Sequence, residues 1–241
     1  MSSPTPPRLR AVLFDMDGTL VETEQLWGEA MFELAGQLGG RMSDEARAAT
    51  VGTSMRVAME ILHADLGIRR TDAELWDDAA WVEGRTAELM AGGVEWRPGA
   101  PELLRGVRAA GLATALVTTT PRALADIVLR SIRRGLGEDP FDVTICGDEV
   151  PARKPDPAPY LQAMRDLGVE PGECVVIEDS QAGITAGLAS GAAVLGVPAV
   201  QAVTPEPGLI LRDGLVGVGP AALADVLADV LAAHGLVPAE A

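Results

Sequence analysis

The chain has 241 residues, 48% of them apolar and only 3% aromatic, and carries a formal charge of −16. That length suits one α/β domain, or a core with a modest second domain, packed mainly from Ala, Val, Leu and Ile. The acidity disfavours nucleic acid and anionic membrane surfaces as partners, because phosphate backbones are bound by Lys and Arg that displace counterions. A small phosphorylated substrate stays open, since a cation or a few basic residues can reverse the field in one cleft.

The opening MSSPTPPRLR lacks an apolar signal segment and reads as an irregular leader. No apolar run reaches the length of a membrane span. Cys146 and Cys174 stand beside β-branched residues and read as buried thiols rather than a disulfide framework. A cytoplasmic protein is expected.

Residues 9–15 (LRAVLFD) form a short apolar run that predicts a buried parallel strand, ending in DMDGT where Gly18 marks a sharp departure. Leu26, Trp27, Met31, Leu34 and Leu38 then fall on one face of a helix starting near residue 22. Further helices are expected over roughly 44–66 and 72–90, with no strand between residues 22 and 95. A Pro-Gly break and a short helix follow. Strands are then predicted at 112–118, 141–146, 174–178 and 192–197, alternating with helices at 122–134, 157–167, 181–190 and 221–233. Such alternation implies βαβ units and a doubly wound, Rossmann-like α/β parallel sheet. The first strand is separated from its partners by an all-helical insertion, which gives a core of residues 1–22 and 96–241 and a helical cap of residues 23–95.

In open α/β sheets, ligands bind outside the carboxyl ends of the strands. There the sequence puts Asp15-Met16-Asp17, Thr118-Thr119-Thr120, Gly147-Asp148 with Lys154-Pro155 beyond it, and Glu178-Asp179. Carboxylates crowded together raise one another's pKa. A hard divalent cation resolves the conflict, and oxygen-only ligands without histidine favour Mg²⁺ over zinc. Strand alternation sets Asp15 and Asp17 on one side with Met16 turned away. One carboxylate can then attack phosphorus while its neighbour handles protons. Gly18 lets the backbone turn past a phosphate. Plainer readings apply elsewhere: Asp148 as a turn residue, His63 and His234 as structural, and Trp76, Trp81 and Trp96 as core or hinge packing. Glu178 has a plainer reading too, as a cap on the following helix.

FDMDGTLVETE, LVTTT, RKPDPAPY and VVIEDSQAG, in this order between about residues 9 and 197, resemble the motifs of the haloacid dehalogenase superfamily. The resemblance is to the branch with an α-helical cap inserted after the first motif. It implies Asp15 as nucleophile, Asp17 as acid/base, and Thr118, Thr119 and Lys154 around the phosphate. It implies Asp15, Asp17, Glu178 and Asp179 at a Mg²⁺ ion. It also implies that the cap supplies selectivity, through Thr23, Trp27 and residues 53–56, including Arg56. Few of these are charged, which suits a sugar or cyclitol phosphate better than a nucleotide. Asp17 argues against the metal-free dehalogenases of the superfamily. A β-phosphoglucomutase-like phosphomutase is the closer alternative. Those enzymes read D-T-E-x-x-H after the first motif, whereas Trp27 stands in the histidine's place here. Met55 stands where their cap arginine would, with Arg56 one place off. A non-catalytic ligand-binding relative is a further alternative, disfavoured by the intact Asp15/Asp17 pair. The reading is a phosphatase acting on a small phosphate ester, with a monomer as the default expectation.

Overall fold

The structure, a computed structural model, describes residues 8–51, 53–198 and 203–234. Most of the expected leader lies outside them. The chain divides into two compact units, Met1–Val21 with Trp96–Ala241, and Glu22–Glu95.

The first strand, β1 (Ala11–Phe14), has all four residues buried, as expected of a strand covered on both faces. After a tight turn, the short strand β2 (Val21–Glu22) leads into the helical unit of α1 (Glu24–Gln37), α2 (Asp44–Thr50), α3 (Met55–Asp65) and α4 (Asp72–Ala91). The short strand β3 (Glu95–Trp96), which pairs with β2, follows that unit. Then come α5 (Ala100–Ala109), β4 (Ala113–Val117), α6 (Arg122–Leu136), β5 (Val143–Ile145), α7 (Ala158–Leu167), β6 (Cys174–Glu178), α8 (Gln181–Ala189), β7 (Ala193–Gly196), β8 (Leu209–Leu211) and α9 (Pro220–Ala233).

The helical unit differs from expectation at two places. The helix predicted over 44–66 is two helices. Val51 and Ser54 take extended backbone. The Thr53 hydroxyl donates to the Thr50 carbonyl at 2.8 Å, and the Ser54 side chain caps α3. Short hydroxyl side chains compete with the helical ladder in this way. Trp76, expected in core or hinge packing, is 51% exposed. Leu75, Ala79 and Val82 carry the buried stripe of α4, together with Met31, Leu34, Met59 and Leu62. Trp76 is one residue on from Leu75 and so turns away from that stripe. Trp27 and Trp81 do pack against this core. His63 is structural: its Nε2 lies 2.9 Å from Asp78 Oδ2, and Arg70 grips both oxygens of the same carboxylate at 2.8 and 2.6 Å.

The core unit holds a six-stranded sheet in the order β5-β4-β1-β6-β7-β8, and every pairing is parallel. The edge strand β8 is an addition to the predicted set. Three residues after a Pro-Gly pair give too short a pattern to read. Ala11 and Leu13 of β1 join a buried cluster with Val117, Val176, Tyr160 of α7 and Ile184 of α8. On leaving β1 the chain moves toward β4 and β5. On leaving β6 it moves toward β7 and β8. The direction of winding therefore reverses between β1 and β6, where such folds form their ligand crevice.

His234 closes α9 through Nδ1, 2.8 Å from the Val230 carbonyl. Both cysteines are buried and unpaired with each other, and burial pushes each thiol up to about 12. Among the described residues, no helix is long and apolar enough to cross a membrane.

Removing the carboxylate of Asp78 strands a buried histidine and a half-buried arginine. Breaking a buried pair from one side costs about 3 kcal/mol. Asp78→Ala is therefore expected to speed amide exchange across α3 and α4 selectively. Unchanged protection there would mean that the Asp78 cluster does not hold the helical unit together.

Candidate active site

Asp15 follows β1 directly and keeps its register, with its N–H donating to the Ile177 carbonyl of β6 at 3.0 Å. Glu178 is the last residue of β6 and Asp179 the next, so the three acids flank the reversal between the two strands. Each offers an oxygen, and the three oxygens lie within 4.8 Å of one another.

Lys154 enters from the loop after β5. Its Nζ donates to Asp15 Oδ1 at 2.7 Å, Glu178 Oε1 at 2.6 Å and the Val117 carbonyl at 2.8 Å. The side chain is almost wholly buried. Its ammonium lies 5.0 Å from the centroid of the Tyr160 ring, a cation–π distance. Tyr160, the chain's single tyrosine, donates its hydroxyl to Glu178 Oε1 at 2.6 Å. The other oxygen of Glu178 accepts from the Ser180 hydroxyl at 3.2 Å. Glu178 is thus fully buried and engaged at both oxygens by the protein. It holds Lys154, whatever else it contributes.

The charges do not balance. Lys154 supplies one positive charge against the carboxylates of Asp15, Glu178 and Asp179. Burial, then the charge of Glu178, raise Asp15 to about 7 even though Lys154 pulls the other way. Burial and the charges of Asp15 and Glu178 raise Asp179 to about 9. Burial pulls Lys154 down, but Asp15 and Glu178 outweigh it and leave the ammonium well above its usual range. A buried ion cluster is poor value as a source of stability, because desolvation offsets its attraction. Two acids held near neutrality beside each other are instead a ready cage for a cation with oxygen ligands.

Asp17 stands apart from that trio. Its Oδ2 accepts from the Thr120 hydroxyl at 2.7 Å and the Thr118 hydroxyl at 3.2 Å. Thr118 in turn accepts from the Thr120 N–H at 3.0 Å. The end of β4 therefore holds the second aspartate, while the end of β6 and Lys154 surround the first. Thr119, between them, is exposed. Gly18 has φ +80°, and a side chain there would run into the Asp179 carboxylate. The position needs glycine for backbone and for space. The Thr19 hydroxyl donates to Asp179 Oδ1 at 3.3 Å. Asp148 is a turn residue, accepting from the Arg122 N–H at the start of α6 at 2.8 Å.

The remaining expected residues belong to the helical unit. Thr23 is buried at the start of α1. Trp27 is half-buried against the helical core. Arg56 is 44% exposed at its side chain and paired with Glu60 and Asp72, both at 3.0 Å. Sequence reasoning missed Tyr160, Thr19 and Ser180, and placed Thr120 at the strand end without a role. Tyr160 had a signal: a lone aromatic hydroxyl on the apolar face of a helix a few residues after Lys154. Buried tyrosine hydroxyls need partners.

Residues 9–191 match the family model for haloacid dehalogenase-like hydrolases. The chain is 32% identical over 224 residues to a phosphorylated carbohydrates phosphatase of Thermotoga maritima, covering 92% of this chain and 100% of the relative. It is 30% identical over 220 residues to hexitol phosphatase B of Escherichia coli, covering 87% and 92%. Among solved structures it resembles CbbY from Rhodobacter sphaeroides in complex with phosphate. That match has a TM-score of 0.72 and 29% identity, and covers 88% of this chain and 96% of the other.

Tyr160→Phe keeps the ring beneath Lys154 but removes the hydroxyl from Glu178. A hydrogen bond to a buried charge contributes about 2 kcal/mol. The variant should be less stable by that amount, which lowers its denaturant midpoint. An unmoved midpoint would show that Glu178 does not depend on this bond.

Proposed function

The chain belongs to the haloacid dehalogenase-like hydrolases and is a phosphatase, and from that premise we propose that it hydrolyses a small sugar or cyclitol phosphate through a phosphoryl group carried on Asp15. The observation that carries this reading is the placement of Asp15. It is buried at the winding reversal of the sheet, 2.7 Å from the Lys154 ammonium, with Asp17 two residues on and tied to a different strand end.

In the first step a carboxylate oxygen of Asp15 forms a bond to phosphorus as the ester P–O bond breaks. The departing alkoxide takes a proton from Asp17 and leaves as the alcohol. In the second step water gives a proton to Asp17 and attacks phosphorus, the Asp15–phosphorus bond breaks, and phosphate is released. Lys154 sits where it can offset the charge of the phosphoryl oxygens. Tyr160 and Glu178 keep it there.

A divalent cation fits the donor set. Asp15, Asp179 and Glu178 are oxygen donors gathered at one point, and mutual repulsion there raises Asp15 and Asp179. Asp15 and Asp179 would be its main holders, since both oxygens of Glu178 already have protein donors. Bound there, Mg²⁺ would neutralise the carboxylates and draw charge from the phosphoryl group. Asp17 was also expected as a ligand, but its Oδ2 is taken up by two threonine hydroxyls, which favours the acid/base role.

The sugar-phosphate class rests on the named activities of the relatives from Thermotoga maritima and Escherichia coli. Hydrolysis is favoured over a phosphomutase reaction by Trp27 and Met55, which stand where the mutases it resembles carry a histidine and a cap arginine. Residues 23–95 serve as the cap that sets selectivity. The protein works as a cytoplasmic monomer.

Asp15→Asn should remove turnover of sugar phosphates to below detection, measured as released phosphate. Phosphate-monoester hydrolysis is among the slowest uncatalysed reactions. A chelator should silence the wild type, and Mg²⁺ should restore it. Full activity in the asparagine variant would discard the proposed nucleophile, and full activity in chelator would discard the cation.

A further inference from the structure

The loop between β5 and Lys154 is held unevenly. Its first half is tied to the turn after β4 at several points. The Gly147 N–H donates to the Thr120 carbonyl at 3.1 Å, and a side chain on Gly147 would run into the Thr119 carbonyl. Asp148 accepts from the Arg122 N–H at 2.8 Å. Glu149 accepts from the Arg122 guanidinium at 2.8 and 2.7 Å and from the Cys146 N–H at 2.9 Å. Residues 150–153 differ. Among the described residues, they send one hydrogen bond back to that fixed half, from Arg153 Nε to the Gly147 carbonyl at 2.7 Å. Arg153 is the residue before Lys154.

Two segments expected around the phosphate therefore meet at Gly147. The Thr118–Thr120 turn presses on it from one side, and the chain carrying Lys154 is hooked to it from the other. Lys154 has its own bonds at the tip, to Asp15, Glu178 and the Val117 carbonyl. One of these acceptors, Asp15, is the group that bonds to phosphorus in the reaction proposed above, so it is not a constant anchor. The Gly147 carbonyl takes no part in the chemistry and holds the base of the lysine segment throughout. The tie is made by Nε. The Arg153 side chain is exposed, and among the described residues its two terminal nitrogens meet no acceptor. The fold uses this arginine as an N–H donor of fixed reach, not as a charge paired with a carboxylate.

We propose that Arg153 is a positioning residue, whose Nε–H bond to the Gly147 carbonyl closes the loop after β5 and sets the spacing between Lys154 and the Thr118–Thr119 turn around the phosphate. This deepens the phosphatase reading and rests on it. Arg153 touches no reacting atom and acts through the two segments that it joins.

Two variants separate the bond from the charge. Glutamine carries its Nε2 as many bonds from the backbone as arginine carries Nε. Arg153→Gln therefore keeps a donor for Gly147 and removes the positive charge and the terminal nitrogens. Arg153→Met sets a methyl group at that place and keeps neither. In the full-length enzyme with Mg²⁺, three quantities are compared: the inhibition constant of inorganic phosphate, kcat/KM for glucitol 6-phosphate and 4-nitrophenyl phosphate, and the denaturant midpoint. A misplacement of about 1 Å costs on the order of 10²-fold in rate. The methionine variant should weaken phosphate inhibition and lower kcat/KM by at least about tenfold. The factor should be the same on both esters, because the phosphoryl group is what they share. The glutamine variant should stay close to the wild type. A glutamine variant as impaired as the methionine one would overturn the proposal, since charge and not the bond would then matter. So would a methionine variant with unchanged phosphate inhibition, or a loss confined to one ester. Activity that falls only in step with the folded fraction would overturn it too. Any of these results, beside an inactive Asp15→Asn, removes only the role of Arg153. An active Asp15→Asn removes the phosphatase reading itself.

Discussion

The site depends on an unbalanced charge. Three carboxylates converge at the ends of two adjacent strands, and one buried ammonium sits among them. Water normally screens such repulsion, but here the groups are enclosed and Asp15 and Asp179 are held at about 7 and 9 instead of near 4. A sequence selected for stability alone would replace this cluster with apolar side chains of like volume. Its three oxygen donors gathered at one point fit a cation. The rest of the core can be read as the support that keeps the three acids together against that repulsion.

That support comes from topology. A parallel sheet whose winding reverses between β1 and β6 brings residues far apart in sequence to neighbouring strand ends. Asp15 is thereby fixed by backbone pairing, and Asp179 directly follows the last paired residue of β6. Lys154 is the exception, since it arrives from a loop, and it is braced on several sides. It has three oxygen acceptors and an aromatic face. Glu178, Tyr160 and Ser180 add a further layer, in which each polar atom has a partner. Such outer bonds fix a charged side chain more tightly than its own rotamer preferences could.

How much of this was legible before the fold is seen depends on the range of the signal. The strands and helices of the core show in the sequence because a buried parallel strand is a short apolar run and its crossover helix has one apolar face. The residues at the strand ends follow from those boundaries. What escaped was local or relational. β8 is three residues long, too short for a period to register. The break within 44–66 is made by side-chain hydroxyls of Thr53 and Ser54, which an apolar pattern does not record. Trp76 was misread because aromatic residues usually find a core, whereas here the neighbouring Leu75 holds the inward position. The pairing of Thr120 with Asp17 and of Tyr160 with Glu178 spans long stretches of chain, and no spacing rule in one sequence announces it.

The two cysteines have a practical side. Both are buried, and a thiol raised to about 12 has almost no thiolate at neutral pH. Alkylating dyes react with the thiolate. A cysteine introduced at an exposed position would therefore be the one that takes up a maleimide fluorophore, with both native residues left in place. Site-specific labelling of this enzyme, which for many proteins starts by deleting every native thiol and repairing the lost packing, can begin from the wild-type sequence.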